Sequence, residues 1–394
     1  MELAKLQEEL KKTRQELLLL YEIGNLIRTT LYLDEVIYLI LSAVTSREGM
    51  AFNRAILFMV DDSGTTLEGK MGIGPKQPET SKQVWKMIEE HKITLESLLD
   101  VYHKTGKNID PELNEVVRQI RMPIENQFGI LAKTVIYDTP CLVAKEDAKH
   151  ELCDPKLLEL EIGQFAVFPL RGKNNVIGVL LIDNVTTKKE LTGTDVRTVM
   201  MLANHAGLAL ENAKIFGEMI VTSQQDSLTK LWNHGYFQNL LRDSLKDAKG
   251  SKKPLSLVIF DVDDFKTYND TYGHQAGDAA LRFISQAAKT VMRRMDTLVR
   301  YGGEEFAAVL PGTNKEEALR LAERLRETIQ KETASSNSGG PMHQPLTISV
   351  GVSVFPNDAE DKEKLIFCAD GALYEAKRSG KNKVCPYEKN LKAG

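Results

Sequence analysis

The stretch TSQQDSLTKLWN, around Gln225, most limits what this chain can fold into. Before it runs a long helical pattern, TGTDVRTVMMLANHAGLALENAKIFGEMI; after it, polar residues lead into a new apolar pattern. A break there divides 394 residues into two domains, in keeping with the size at which a single hydrophobic core stops growing. The helical pattern opens on Thr and Gly with Asp195 close behind, which suits the positive end of a helix dipole.

Along that helix, Leu202, Ala206, Ala209, Ala213, Phe216 and Ile220 follow one another in steps of 4, 3, 4, 3 and 4. A similar run, Leu3, Leu6, Leu10, Thr13, Leu17 and Leu20, opens the chain with Glu and Lys on its flanks. Such spacing gathers side chains onto one narrow stripe, the seam along which two helices supercoil. The seams predict a parallel helix pair in a homodimer; for the opening run an amphipathic helix lying on its own domain is the competing reading. The expected layout is a coiled-coil helix over 1–20, a first domain over 21–200, a linker helix over 201–225 and a second domain over 226–390.

Hydrophobic residues make up 42% and charged residues 27% of the chain, ordinary for a soluble globular protein. A net charge of -4 excludes the basic surface of a nucleic-acid binder, yet leaves room for the few cations a nucleotide needs. The opening MELAKLQEELKKTRQELLLL lacks the apolar core of a signal peptide. No apolar run approaches the roughly 20 residues of a membrane helix. A cytoplasmic protein without membrane insertion is expected. Cys141, Cys153, Cys368 and Cys385 lack CxxC spacing and read as reduced structural thiols, and His150 with Cys141 and Cys153 is poorly spaced for a metal.

In the first half, RAILFMVDD reads as a strand, 76–124 as a polar helical segment, KTVIYD as a strand, and GQFAVFPLRGKNNVIGVLLIDN as a hairpin turning at GKNN. With the leading LLYEIGNLIRTTLYLDEVIYLIL and the closing LANHAGLALENA, this order of elements resembles a GAF domain. The resemblance implies an antiparallel sheet flanked by helices and room for a small ligand. Trp85, Tyr102, His103 and Phe128 are pocket candidates, although aromatics in such segments are more often core.

The second half holds the chemistry. PLSLVIFDVDDFKTYNDTYGHQAGDAAL begins as an almost uninterrupted apolar strand over 255–260 and ends on Asp261 and Asp263. Carboxylates at a strand end suit a hard divalent cation, because Mg²⁺ needs only one or two of them when substrate phosphates complete its shell. A lone DxD reads more readily as a solvated turn. Gly273 and Gly277 permit close backbone approach, and Asn269 and Asp278 suit a guanine edge, whose N1–H and amine donate together to a carboxylate. Further on, TLVRY and EFAAVLP read as strands joined through Gly302-Gly303, a pair that accepts the positive φ of a tight hairpin. Glu304 and Glu305 follow at its tip, and paired acids repel unless a cation or solvent separates them.

DSLTKLWN, FDVDDFKTYNDTYGHQAGD, RRMDTLVRYGGEEF, ISVGVSVFP and ADGALYEAKRSGKN occur in the order and at the spacing of the GGDEF family of diguanylate cyclases, which this half resembles over about 226–387. The resemblance implies a ferredoxin-like sheet domain of the nucleotidyl cyclase type, and so an α+β chain. It implies two GTP condensed to cyclic di-GMP across two facing domains. It puts Mg²⁺ or Mn²⁺ on Asp261, Glu304 and the Val262 carbonyl. It puts guanine on Asn269 and Asp278, and phosphates near Phe265, Lys266, Lys377 and Lys381. Glu305 stands near the attacking 3′-hydroxyl, as general base or further metal ligand. Arg293, Asp296 and Arg324 match an inhibitory product site; for RxxD alone, a surface salt bridge is the plain alternative. The chain departs from the pattern with GGEEF for GGDEF, Lys230 where Gly is usual and His234 where Arg is common. The reading is a homodimeric diguanylate cyclase regulated by its GAF-like domain and by product. Its rivals are a catalytically silent cyclic di-GMP receptor and a mixed GMP–AMP cyclase.

Overall fold

The computed structural model describes residues 30–46, 50–77, 98–105, 110–336 and 342–388, with Tyr21 and Gly24. The opening heptad run, Trp85, and part of the polar loop over 335–344 lie outside them. The chain divides into two compact units between Met219 and Ile220. No helix among the described residues is long and apolar enough to cross a membrane.

The first unit is a six-stranded sheet in the order β3-β2-β1-β6-β5-β4, antiparallel throughout. Helix α1 (Leu33–Thr45) precedes β1 (Arg54–Val60) and β2 (Thr66–Ile73). Two short helices, α2 (Leu98–Thr105) and α3 (Pro111–Val117), lead to β3 (Arg121–Pro123). Then come α4 (Gly129–Tyr137), β4 (Cys141–Val143), α5 (Ala148–Leu152), α6 (Pro155–Leu158), the hairpin of β5 (Phe165–Arg171) and β6 (Val176–Asp183), and α7 (Gly193–Gln224). Strand alternation gives the sheet two apolar faces. Ala55, Leu57 and Met59 pack with α1 and α7, while Ile56 and Phe58 pack with α3, α4 and α5.

Several expectations change here. KTVIYD is helical, within α4, despite its β-branched residues. Gly129, Leu131, Ala132 and Thr134 are buried at helical spacing, so packing overrides local propensity. Of the segment over 76–124, the described part is two helices and a paired strand, not helix throughout. Of the described aromatic candidates, Tyr102 and Phe128 do not share a pocket: Tyr102 packs on Tyr38 with ring centres 5.0 Å apart in the α1 layer, beside His103, and Phe128 packs on the other face of the sheet. The α7 stripe is also reassigned. Leu202, Ala206 and Ala213 are buried in the core of their own domain, with Ala209 partly buried against it. Gly207 allows this approach, since a Cβ there would lie 2.2 Å from the Arg171 carbonyl oxygen.

One ion pair is fully enclosed. Arg54 on β1 lies opposite Asp183 on β6, with Nη2 at 2.5 Å from Oδ2, and both side chains are 0% exposed. Arg54 Nη1 donates to the carbonyls of Pro75, Lys76 and Leu160 at 3.1, 2.9 and 3.0 Å. Burial pushes the Asp183 carboxyl upward and Arg54 opposes it.

The second unit is a five-stranded sheet in the order β11-β10-β7-β9-β8. Its parts are α8 (His234–Ser251), β7 (Leu255–Val262), α9 (Phe265–Tyr272), α10 (His274–Val291), β8 (Thr297–Arg300), β9 (Glu305–Pro311), α11 (Lys315–Ser336), β10 (Ile348–Phe355), α12 (Lys362–Arg378) and β11 (Val384–Pro386). Among the described strands of this sheet only β10 and β11 pair in parallel. The sheet is covered on both faces. Val258, Phe260 and Val262 pack with α10 and α11, and Leu255, Leu257 and Ile259 with α8 and α12. Both units are mixed helix and sheet, so the α+β class holds. Lys230, where the family usually has Gly, takes φ of 56°, the left-handed region glycine adopts most freely.

Replacing Arg54 by Met would leave a buried carboxylate unpaired and three carbonyls short of a donor. We expect a loss of about 3–5 kcal/mol, read by chemical denaturation of the first unit. An unchanged midpoint would show that the pair is dispensable.

Candidate active site

The register of the second sheet brings the acids together. Asp261, near the end of β7, lies directly across from Glu305, the first residue of β9. The Val262 N–H donates to the Glu304 carbonyl at 3.2 Å, which ties the hairpin tip to the same strand end. Asp261 is 5% exposed. Lys377, at the end of α12, places Nζ 2.8 Å from Asp261 Oδ1. Burial raises the Asp261 carboxyl, Lys377 lowers it, and Glu305 and Asp263 raise it further, for a net upward shift. Glu304 is also pushed up, by burial first and then by Asp261.

The hairpin differs from the tight turn expected. Four residues, Tyr301 to Glu304, join β8 to β9, and neither Gly302 nor Gly303 is among the glycines with positive φ. Gly302 leaves space for a carboxylate instead. A Cβ on Gly302 would meet Glu305 Oε2 at 2.5 Å, and one on Gly303 would meet nothing within 4 Å. The N–H groups of Tyr301 and Gly302 both donate to the Glu305 carbonyl, at 2.8 and 3.1 Å.

Arg300 braces this tip, a role that the residue types alone did not reveal. Its Nε and Nη2 donate to the Gly303 carbonyl at 3.2 and 2.7 Å. Its Nη1 donates to both carboxylate oxygens of Asp226 at 2.9 and 3.0 Å. Asp226 opens the DSLT turn just after α7, and its other partner is Thr229. Burial would raise the Asp226 carboxyl, but Thr229 and Arg300 outweigh it and hold it low. The available signal was the arginine one residue before Tyr-Gly-Gly together with the Asp of DSLT.

Asp263 is held by structural hydrogen bonds. It accepts from Thr347 and Ser349 hydroxyls at 2.7 and 2.6 Å and from the Asn382 N–H at 3.0 Å. Its work is to join β7, β10 and the loop after α12. Lys381, in that loop, places Nζ 2.6 Å from Asp264 Oδ1, just before Phe265. Lys266 is exposed on α9. A further acid, Asp370 on α12, was not foreseen. Its carboxyl is pushed to about 6 by loss of solvent and then by Glu305, although the residue as a whole is exposed and water screens much of that effect.

Asn269 and Asp278 belong to the adjoining ends of α9 and α10, which meet at Gly273 with φ of 84°. Asn269 Oδ1 is buried without a hydrogen-bond partner among the described residues. Gly277 makes room for that amide, because a Cβ there would lie 1.8 Å from Oδ1. Asp278 is exposed, one residue further along α10. Arg293, Asp296 and Arg324 form a separate group at the start of β8. The Arg293 N–H donates to Asp296 Oδ2 at 2.9 Å, and Arg324 Nη2 donates to the Val291 carbonyl at 2.7 Å. Asp296 Oδ1 is also buried without a partner among the described residues.

The donor set fits a hard divalent cation. Asp261 and Glu304 are crowded carboxylates whose mutual repulsion a cation would relieve, and the Val262 carbonyl belongs to the same strand end. No group of three or more His, Cys, Asp or Glu side chains converges as a metal site among the described residues. Two carboxylates suffice for Mg²⁺ when phosphate oxygens complete its shell.

Residues 223–383 match the family model for the diguanylate cyclase GGDEF domain, and residues 33–210 match that for the GAF domain. The second half of the chain carries a GGDEF domain, and the first half a GAF domain. Among curated relatives, Diguanylate cyclase A of Treponema denticola is 36% identical over 227 residues, 57% of this chain and 59% of that protein. Diguanylate cyclase DosC of Escherichia coli is 42% identical over 159 residues, 40% of this chain and 34% of that protein. The chain thus spans between 34% and 59% of the length of these relatives. Among solved structures, the coiled coil and GGDEF domain of DgcB from Caulobacter crescentus in complex with c-di-GMP is 26% identical, with a TM-score of 0.44, over 50% of this chain and 100% of that one.

Removing the Arg300 side chain would leave Asp226 and the Gly303 carbonyl without their donor. In Arg300→Ala the amides of Tyr301 and Gly302 should exchange about tenfold faster, equivalent to roughly 1.4 kcal/mol, with a loss of about 1.5–3 kcal/mol in stability. Hydrogen exchange unchanged at these amides would remove Arg300 as the brace.

Proposed function

We propose that the chain is a diguanylate cyclase, condensing two GTP into cyclic di-GMP with release of two pyrophosphates. The observation that carries the reading is Asp261 held opposite Glu305, with Glu304 beside them and Lys377 on Asp261. In the proposed reaction each 3′-hydroxyl oxygen bonds to the α-phosphorus of the other GTP, and the bond from that phosphorus to pyrophosphate breaks. Glu305 accepts the hydrogen bond of the attacking hydroxyl and orients it. Mg²⁺ or Mn²⁺, held by Asp261, Glu304 and the Val262 carbonyl, would neutralise triphosphate charge and the departing pyrophosphate. Lys377 and Lys381 add cationic charge for the phosphates, with Phe265 and Lys266 at the start of α9 lining their approach.

Asn269 and Asp278 read guanine. The orphaned Asn269 oxygen supports this, because a buried acceptor without a partner is costly until a ligand donor reaches it. Arg293, Asp296 and Arg324 bind the product as a separate inhibitory site, and the GAF domain regulates turnover, with a small ligand as its signal. The reaction needs two such domains, so a homodimer in the cytoplasm completes the reading.

Purified protein incubated with Mg²⁺ and GTP should yield cyclic di-GMP, identified by mass. GTP left unconverted by a folded protein would favour a silent receptor, and a mixed product formed with ATP present would favour the GMP–AMP cyclase. Glu305→Ala should lower turnover at least a hundredfold, and Arg293→Ala should relieve inhibition by added product at near-normal initial rate. Gly277→Ala should displace the Asn269 amide and weaken GTP binding roughly tenfold to a hundredfold, in line with about 1.5–3 kcal/mol for a lost site contact. Alanine favours a helix interior over glycine, so its melting temperature should not fall by helix propensity. Normal GTP affinity in that variant would count against Asn269 as a guanine contact.

A further inference from the structure

The end of β7 reads Asp261-Val262-Asp263-Asp264, and all three of its acids are tied to residues 377–382, where α12 ends. Asp263 carries the fixed tie. Its Oδ2 accepts from the Asn382 N–H at 3.0 Å, while the Thr347 and Ser349 hydroxyls hold it on the β10 side. The other two ties are side-chain ion pairs. Lys377 Nζ lies 2.8 Å from Asp261 Oδ1, and Lys381 Nζ lies 2.6 Å from Asp264 Oδ1. The backbone is bent on both sides of the second pair. Asp264 and Lys381 have φ of 57° and 58°, a left-handed region that a lysine rarely adopts. The proposed reaction gives Asp264 no task, yet its carboxylate holds one of the two lysines assigned to the phosphates.

We propose that Asp264 is a positioning residue for the triphosphate: Asp264 and Asp261 hold Lys381 and Lys377 as internal counter-ions, which they release together to a metal-bound triphosphate. The inference rests on the proposed function for the assignment of Asp261 to the cation and of the lysines to phosphate. The Asp261 side chain is 7% exposed, so water screens little of the repulsion between an ammonium and a divalent cation placed on one carboxylate. Asp261 therefore turns from Lys377 to the cation, and Lys377 turns to a phosphate oxygen. The Asp264 side chain is 63% exposed, so water solvates it when Lys381 leaves for the same triphosphate. The loop itself stays in place, because the Asn382 N–H remains on Asp263 and the Val350 N–H on the Lys383 carbonyl. Only side chains move. A bare cation meets an Asp261 already paired with an ammonium, and a bare triphosphate meets two ammoniums already paired with carboxylates. The two together offer each charged group a new partner or water.

Mn²⁺ binding to the full-length chain without nucleotide, read by electron paramagnetic resonance, should tighten at least about fivefold in Lys377→Gln, because the competing charge is gone. Metal-free GTP, titrated in EDTA by calorimetry, should bind Asp264→Asn about twofold to fivefold more tightly than wild type, the range for an exposed ion pair. The same variant should leave Mn²⁺ affinity unchanged, and asparagine accepts the same left-handed backbone. The gain in GTP affinity should vanish when Lys381→Gln is added, since it acts through that lysine, and Asp264→Glu should restore the wild-type value. Mn²⁺ bound no more tightly by a folded Lys377→Gln chain overturns the exchange. So does a gain in Asp264→Asn that persists without Lys381, which would be plain loss of a negative charge. If Lys377→Gln does not fold, the Asp264 variants, made at an exposed pair, decide the matter alone. None of these measurements needs turnover. The predicted binding pattern in a chain that makes no cyclic dinucleotide supports the exchange and counts against the reaction. Cyclic di-GMP formed by a chain without that pattern keeps the reaction and overturns the exchange.

Discussion

Three carboxylates of like charge sit at one corner of the second sheet, and the register between β7 and β9 is what holds them there. Asp261 cannot move away from Glu305 without breaking the pairing that runs from Leu255 opposite Pro311 up to that point. That pairing is secured by β7, which is buried along its whole length between two layers of helices. Apolar packing therefore opposes electrostatic repulsion, and the corner is left with a demand for positive charge. Lys377 meets part of it. A divalent ion with a triphosphate is the kind of ligand that would meet the rest. Asp263, two residues from Asp261, shows the contrast. It has three donors and no unmet demand, so it serves structure.

The first unit applies a different logic to helix α7. A single helix carries two stripes, one spent on the sheet and one left outside. The inner stripe mixes large and small residues: Leu202 and Leu210 fill the core, while Ala203, Ala206 and Gly207 let the helix settle close to β5 and its neighbours. The outer stripe carries Met201, Leu208, Ile215 and Met219, all exposed.

Much of this was legible in the sequence where a pattern carried its own physical cause. The β5–β6 hairpin, the central strand β7 and the position of the acids follow from apolar runs bounded by glycine and charge. The errors have causes as well. Periodicity along α7 identified a real stripe but could not say whether it faced a sheet or a partner, because both burials select the same spacing. The β-branched run in α4 looked like a strand until packing of Leu131 and Thr134 decided otherwise. Gly302 and Gly303 suggested positive φ, but neither adopts it, and Gly302 instead leaves room for the Glu305 carboxylate. The Arg300–Asp226 contact joins residues 74 positions apart, and no local window contains both.

That contact also sets where the second domain begins as a working piece. Arg300 reaches Asp226, and the turn that carries Asp226 is itself anchored upstream, through Asn233 to the carbonyls of Ser223 and Gln224 at 2.6 and 2.7 Å. The last residues of α7 are therefore part of the scaffold of the hairpin tip, although they lie before the turn that looks like a boundary. A different sensor grafted ahead of Ser223 would inherit a braced hairpin. The same graft made at Asp226 would keep every acid of the site and lose the anchorage that holds their turn in place.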